Sequence, residues 1–163
     1  MISFLASGIA MEFLDLVNHR RSVRSFTGQD VEHEKIDRVL QVARLAPSAG
    51  GLKAYKIITV WDDETKLALS RAAHGQAFVA QAPVVLVFLA DENLSAAKYG
   101  MRGAKLFCVQ DATIAAAYAQ LAATDQGLAS CWVGAFSEDS VAQAVGARSR
   151  LRPVAMLPIG YAA

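Results

Sequence analysis

The feature that most constrains the fold is an alanine-rich segment that runs from Lys105 to about Thr124. This segment is apolar almost all the way round a helix and is interrupted by Gln110, Asp111 and Gln120. A helix with apolar side chains on nearly every side must be covered by protein on nearly every side. We therefore predict that it is the central helix of a domain or of a dimer.

The remaining segments supply shorter helices and strands around this helix. Hydrophobic spacing predicts helices over 12–19, from a cap at Asp30 to near Pro47, over 63–73 and from Ser137 to Gly146. Runs of β-branched and other apolar residues predict strands over 55–61, 83–90, 129–136 and 153–161. Strands that alternate with helices, without repeats or low-complexity linkers, predict a single α+β or α/β layered domain.

Composition bounds the size and surroundings of this domain. The 163 residues suit one domain over 11–163, and residues 1–10, which lack a basic start, are expected to be a leader outside the core. With 54% apolar and 19% charged residues, the chain has more apolar surface than a lone domain hides, which predicts a homodimer. A net charge of +1 argues against nucleic acid as a partner. No uninterrupted apolar run reaches the roughly 18 residues of a membrane span, so we expect a cytoplasmic protein without a membrane partner.

The sequence offers little support for metal chemistry or for the common catalytic motifs. Cys108 and Cys131 lie in apolar segments without CxxC spacing, which indicates buried thiols in a reducing compartment. The three histidines are scattered, and none has a second ligand at metal-site spacing, so no metal site is predicted. The dinucleotide-binding, P-loop, nucleophile-elbow and zincin motifs do not occur.

A basic cluster, Arg20, Arg21, Ser22 and Arg24, follows the first predicted helix. Cations at the end of a helix stabilise its negative dipole end by about 0.3–1 kcal/mol each, which is one interpretation of Arg20 and Arg21. Ser22 and Arg24 continue the donors past the helix, and guanidinium groups with a hydroxyl are what a phosphate monoester needs. The residues alone leave surface capping and phosphate binding both open.

The segment APSAGG, which contains Pro47, Ser48 and Ala49, follows the second predicted helix. Its small residues let the backbone and a flat ligand approach closely, and Ser48 with its neighbouring amides can donate to a heteroaromatic edge. A plain helix stop made of proline and glycine is the other interpretation.

Five segments, in order and in register, resemble the nitroreductase family of flavin mononucleotide (FMN) oxidoreductases. The resemblance runs from about Met11 to Tyr161 and rests on RRSVRSF, ARLAPSAGGLKAYKIITV, QAPVVLVF, KYGMRGAKLFCVQDATIAAAYAQLAATDQGLASCWVGAF and MLPIGY. It implies an α+β three-layer sandwich, with a central mixed, mainly antiparallel sheet flanked by helices and a domain completed by dimerisation. FMN would lie across the subunit interface of a homodimer.

The resemblance also implies which residues bind the cofactor. At its phosphate end, the FMN phosphate and ribityl chain would be gripped by Arg20, Arg21 and Ser22, and the ribityl or the N1 and O2 ring edge would be reached by Arg24. At its ring end, the other subunit would pack on the isoalloxazine through Pro47, Ser48, Ala49 and Gly51. Flavin N5 and O4 would accept from backbone N–H groups of Val133, Gly134 and Ala135.

The activity that the resemblance implies is hydride transfer from NAD(P)H through flavin N5 to a nitroaromatic, quinone or similar small acceptor, with ping-pong kinetics. No side chain need act as an acid or base, so no catalytic residue is predicted. Two alternatives stay open. One is a flavin-binding or regulatory module with the same fold and little turnover, and the other is an oxidase or dehydrogenase of a peptide or small heterocycle.

Departures from the family pattern concern the cofactor site. Gly51 stands where asparagine is usual, and Lys53 replaces glutamine and adds a cation that would favour reduced flavin or an acidic substrate. The chain ends at 161–163, whereas relatives continue with a tail that often brings a further basic residue to the phosphate, so we expect a weakened FMN site. Asp111, inside the apolar helix, is expected to pair with an arginine such as Arg102 or with a backbone donor.

Overall fold

The computed structural model describes residues 11–163, and the predicted leader at residues 1–10 lies outside the described residues. In chain order the elements are α1 (Phe13–His19), α2 (His33–Leu45), β1 (Tyr55–Val60), α3 (Asp63–Ala72), α4 (Ala77–Gln81), β2 (Val84–Asp91), α5 (Glu92–Arg102), α6 (Cys108–Asp125), β3 (Ala129–Ser130), α7 (Glu138–Ala144) and β4 (Leu151–Gly160). A 3₁₀ turn (Ala49–Gly51) follows α2, and a π-helical turn (Gly103–Phe107) joins α5 to α6.

The strands form one sheet in the order β1-β2-β4-β3, and each neighbouring pair is antiparallel. A parallel bridge between Ser22 and Ser130 adds the chain that follows α1 to the β3 edge. A second bridge pairs Phe26 with Ala162, just beyond β4. The sheet is therefore mainly antiparallel, as the family resemblance implies.

β2 runs through the middle of the molecule and is covered on both faces. Every residue from Val84 to Ala90 is buried. Because successive side chains of a strand point to opposite faces, alternate residues of β2 enter two different cores. Leu86 and Phe88 pack with α2 and α6, whereas Val85 and Val87 pack with α3, α4 and α7. The result is a sandwich of helices, sheet and helices, which confirms the predicted α+β fold.

The predicted central helix is α6, which packs against α2 and the sheet. Its buried residues are Cys108, Asp111, Ala112, Ala115, Ala116, Ala119, Gln120, Ala122 and Ala123. By length and composition alone the helical stretch Glu92–Asp125 could span a membrane, with a mean hydropathy of 1.2 over an 18-residue window of which half is buried. The core helix of a soluble domain meets the same criterion, and α6 is a core helix here.

The structure corrects three details of the predicted elements. α2 begins at His33 with Glu32 as its N-cap, so the predicted cap at Asp30 is wrong. The predicted strand 129–136 shortens to β3, because the chain leaves β4 after Ser130 and keeps one further bridge, between Val133 and Met156. α4 and α5 were not predicted. α5 buries Ser95 but no apolar residue, so its sequence has no apolar stripe from which a helix could be predicted.

Candidate functional site

The basic cluster lies on an extended segment directly after α1. The backbone of this segment is held at both ends by the edge of the sheet: the N–H of Val23 donates to Ser130 O at 3.0 Å, and the N–H of Thr27 donates to Tyr161 O at 2.9 Å. β3 and the end of β4 therefore fix the position of residues 20–24.

Arg21 has a structural role that sets it apart from the rest of the cluster. Its Nη1 donates to the carbonyl oxygens of Asn18 and Arg20. These carbonyls lie at the C-terminal end of α1, where backbone oxygens lack helical partners. The capping interpretation therefore holds for Arg21, and its contact with a phosphate stays a prediction.

Arg20 and Arg24 are not engaged in this way. Among residues 11–163 neither guanidinium group donates a hydrogen bond or pairs with a carboxylate. Burial raises the pKa of the Cys131 thiol, and the positive charges of Arg24 and Arg20 oppose that rise, which places both arginines near the residue that follows β3. Ser22 is exposed, and its bridge partner Ser130 has a buried Oγ without a hydrogen-bond partner in the described chain.

The loop after Cys131 brings backbone amides to the same edge of the sheet. The N–H of Val133 donates to Met156 O at 2.9 Å, and the N–H of Met156 donates to Val133 O at 3.0 Å. The amide of Val133 is thus occupied by β4, and its predicted donation to a flavin is corrected. Gly134 and Ala135 are exposed, and within residues 11–163 their amides have no acceptor, so the predicted donors narrow to these two.

Gln76 is a residue of this site that sequence reasoning missed. It is the N-cap of α4, and its Nε2 donates to Ala73 O at 3.0 Å and to Ala135 O at 3.4 Å. The side-chain amide therefore ties the loop that contains Ala135 to the end of α3. The signal in the sequence was the dipeptide His74-Gly75, both residues of which have positive φ and mark the turn that presents Gln76.

The segment after α2 is a tight turn whose backbone N–H groups donate to Asp111 of α6. One carboxylate oxygen of Asp111 accepts from Ala49 N at 2.9 Å and the other from Ala54 N at 3.3 Å. Ser48 Oγ closes the turn by accepting from Lys53 N at 2.9 Å. The prediction that Asp111 pairs with a backbone donor is confirmed, whereas Arg102 is not its partner.

This turn lines a groove of about 520 Å³ on the α6 side of the molecule. Pro47, Ser48 and Ala49 form one wall, and side chains from the π-helical turn and α6 form the other. Gly51, the remaining predicted ring contact, is exposed at the end of the 3₁₀ turn. Among residues 11–163 no hydrogen bond joins the turn to the basic cluster or to the Gly134 loop. Within one chain, the basic cluster and the Gly134 loop therefore lie at the same edge of the sheet. The Pro47 turn lies on a separate surface.

The edge of the sheet at β3 can bind an anion and the polar edge of a ring together. The two guanidinium groups, which have no partner in the described part of the chain, and the exposed Ser22 hydroxyl suit a phosphate ester. The amides of Gly134 and Ala135, which lack an acceptor there, suit ring acceptors. Burial holds the neighbouring thiol of Cys131 protonated by raising its pKa, so this cysteine does not offer a thiolate.

Comparison with known proteins identifies the family of the chain. A sequence model described as the nitroreductase family matches residues 17–79 and 65–161. An FMN reductase [NAD(P)H] of Bacillus subtilis is 38% identical over 82 residues, which cover 50% of this chain and 33% of that protein. A putative NADH dehydrogenase/NAD(P)H nitroreductase of Archaeoglobus fulgidus is 29% identical over 154 residues, which cover 92% of this chain and 85% of that one.

Solved structures show the same fold. A nitroreductase family protein from Clostridium novyi superimposes with a TM-score of 0.85 at 28% identity, covering 94% of this chain and 86% of that one. The chain thus spans nearly the whole length of some relatives and a third of the length of others.

Proposed function

This chain belongs to the nitroreductase family, and from that premise we propose that it is an FMN-dependent oxidoreductase that passes a hydride from NAD(P)H to a nitroaromatic, a quinone or a similar small acceptor. The names of its relatives support both FMN and NAD(P)H. The observation that carries the proposal is a pair of guanidinium groups, Arg20 and Arg24, beside the amides of Gly134 and Ala135, all without a partner within the described residues.

These donors fit FMN. Arg20, Arg24 and the Ser22 hydroxyl would hold the phosphate and ribityl end, and the amides of Gly134 and Ala135 would donate to the polar ring edge. When bound, FMN supplies reversible hydride chemistry, which serves NAD(P)H and the acceptor in two half-reactions and gives ping-pong kinetics. The protein contributes position and charge, since none of these residues needs to transfer a proton.

A homodimer with FMN at the interface is part of the proposal. α1 exposes Phe13 and Leu14 to 66% and 73%, a large apolar surface for a single helix. Phe13 borders a groove of about 400 Å³ that runs beside Val42 of α2 and Tyr118 of α6. The separation of the Pro47 turn from the basic cluster also favours a dimer, because a neighbouring subunit would bring the turn to the ring. Buried free thiols suit a reducing compartment, which supports a cytoplasmic location.

The proposal is tested by titrating the purified protein with FMN and by following NAD(P)H oxidation with a nitroaromatic or quinone. We expect flavin binding at micromolar concentrations, a dimer in solution, and initial rates that give parallel lines in double-reciprocal plots. A dimer that takes up no FMN would refute the proposal. Tight FMN binding without turnover across a broad panel of acceptors would support a flavin-binding module instead.

A further inference from the structure

A second group of charged and aromatic side chains lies at the end of α5. The rings of Tyr99 and Phe107 meet edge to face, with centroids 5.2 Å apart. Lys98 Nζ lies 5.4 Å from the centroid of the Tyr99 ring, and the guanidinium of Arg102 lies 5.4 Å from that of Phe107. We refer to Lys98, Tyr99, Arg102 and Phe107 as the α5 cluster.

The α5 cluster lies against the Pro47 turn, and one of its members, Phe107, lines the groove beside that turn. A Cβ built on Gly50 would lie 2.2 Å from Tyr99 Oη and 2.7 Å from Lys98 Nζ, so both side chains reach over the turn. Phe107 itself lines the groove opposite Pro47. The two cations therefore stand next to a groove with mostly apolar walls.

The positive charges of the α5 cluster are not balanced. Within residues 11–163 neither Lys98 nor Arg102 has an ion-pair partner. Asp111 borders the groove, but both of its oxygens accept backbone N–H groups, and Glu92 at the start of α5 binds Arg150. Cation–π contact explains why each cation stands over a ring. It does not neutralise either charge, so an anion that entered the groove would meet two free donors.

We propose that the α5 cluster binds the acidic group of an anionic aromatic electron acceptor, a nitroaromatic or quinone that carries a carboxylate or sulfonate, while the ring of the acceptor lies in the groove. The inference rests on the proposed function, because it assigns the acceptor of that same reaction. An apolar groove with a few convergent polar groups suits a planar ring with one charged substituent. In the reaction a nitro group takes the hydride of NAD(P)H and one proton from solvent, and it leaves as a nitroso group and water.

The position of the cluster favours the acceptor over NADPH, whose 2′-phosphate is another anion that Lys98 and Arg102 could meet. In NADPH that phosphate is separated from the nicotinamide ring by two riboses and a pyrophosphate. Phe107 of the α5 cluster lines the groove itself, the Arg102 guanidinium lies over the Phe107 ring, and Lys98 reaches over the adjoining turn at Gly50. In the proposed acceptor the acidic group is attached directly to the reacting ring. The ring can therefore lie in the groove while the acidic group meets the two cations beside it.

The test compares 4-nitrobenzoate with its neutral analogue 4-nitrobenzamide, in the FMN-loaded dimer and in the double substitution Lys98→Gln/Arg102→Gln. Both residues are exposed, so we expect the double substitution to leave the fold and the flavin site unchanged. Measurements of the fold and of the flavin spectrum check this expectation. The matched control is Arg71→Glu, an exposed residue of α3 on the opposite face of the sheet, which alters the net charge by the same two units. Calorimetric titration of 4-nitrobenzoate gives Kd independently of turnover.

We expect the double substitution to lower kcat/KM for 4-nitrobenzoate and to weaken its binding about tenfold, because both cations are exposed and an exposed charge contact contributes less than a buried charge-assisted hydrogen bond. The rate with 4-nitrobenzamide and the behaviour of Arg71→Glu should change less than about twofold. An unchanged Kd for 4-nitrobenzoate, an equal loss for both acceptors, or a loss that appears with NADPH and not with NADH would overturn the inference. Absence of turnover with both acceptors in flavin-loaded wild type would overturn the proposed function instead.

Discussion

The basic segment after α1 and the turn after α2 are both short connections, yet the structure treats their polar groups in opposite ways. In the turn, Ser48 and Asp111 accept the N–H groups of Lys53, Ala49 and Ala54, so the chain satisfies its own donors. In the basic segment, the guanidinium groups of residues 20 and 24 have no partner among residues 11–163. The turn therefore satisfies its donors within the chain, whereas the basic segment keeps the donors that our proposal assigns to FMN.

Asp111→Ala tests the turn and should have the largest effect on stability. The substitution leaves the N–H groups of Ala49 and Ala54 without acceptors beneath the turn, which should lower the free energy of unfolding by about 2–5 kcal/mol. Urea denaturation followed by circular dichroism measures this loss. Asp111→Asn is the matched control, and it should lose less because its amide oxygen still accepts one of the two N–H groups. Equal stability of wild type and Asp111→Ala would show that the turn does not depend on the carboxylate.

Arg20→Gln/Arg24→Gln tests the basic segment and should show the reverse pattern. The affinity for FMN should fall about hundredfold, because two charge-assisted hydrogen bonds to the flavin are lost. The unfolding free energy of the flavin-free protein should stay within about 0.5 kcal/mol of wild type, because neither side chain has a partner in the described chain. Quenching of flavin fluorescence on titration measures Kd. An unaltered Kd would remove the basic segment from the cofactor site.

The sequence displays the residues of the basic segment directly, but it does not display how the turn is held, and the reason is physical. The three arginines are visible as a local excess of charge, and their contact with a ligand stays a prediction. The role of Asp111 depends on two amides that are far away in sequence, so sequence reasoning offered only an arginine such as Arg102 or an unspecified backbone donor. Val133 shows the same limit: its β-rich setting predicted a strand and the resemblance implied a free amide, but the strand ends at Ser130 and the N–H of Val133 donates to Met156 O.

The helices and strands also differ in how well the sequence predicted them. α6 and β2 were predicted nearly to the residue, because burial on all sides demands a run of apolar residues that nothing else explains. α5 was missed because it lies on the surface with mixed polarity, and Gly100 interrupts it with a positive φ. Three of the four residues of the α5 cluster belong to that missed helix, so the assignment of the cluster needed the contacts of the folded chain.

Gly50→Ala tests how closely the turn after α2 packs against the α5 cluster. Gly50 has a positive φ, and an added Cβ would also meet the Tyr99 hydroxyl at 2.2 Å. We expect a loss of about 2 kcal/mol in the free energy of unfolding, from backbone strain and displacement of Tyr99. Gly51→Ala is the matched control: it also has a positive φ but no atom within 4 Å, so it should lose only about 1 kcal/mol.

A double-mutant cycle separates the two causes at Gly50. Tyr99→Phe removes the hydroxyl that the new methyl would meet, and it should therefore recover part of the loss in Gly50→Ala but none of the loss in Gly51→Ala. Urea denaturation of the single and double variants measures the coupling. Equal losses at the two glycines, with no coupling to Tyr99, would mean that the turn is not packed against the α5 cluster.

Arg21→Gln should have the smallest effect. It tests whether Arg21, unlike Arg20 and Arg24, serves the fold by binding backbone carbonyls. Its guanidinium binds the carbonyl oxygens at the end of α1, so its loss should cost that helix about 0.5 kcal/mol at low salt. Hydrogen exchange at the N–H of Arg20, which donates to Leu16 O, should become about twofold faster. FMN affinity should fall far less than in the Arg20 and Arg24 double variant. A loss of affinity as large as that of the double variant, with unchanged exchange, would move Arg21 from capping to ligand binding, because only Nη1 of its guanidinium donates to the end of α1 in the described chain, and Nε and Nη2 would then be the donors to the phosphate.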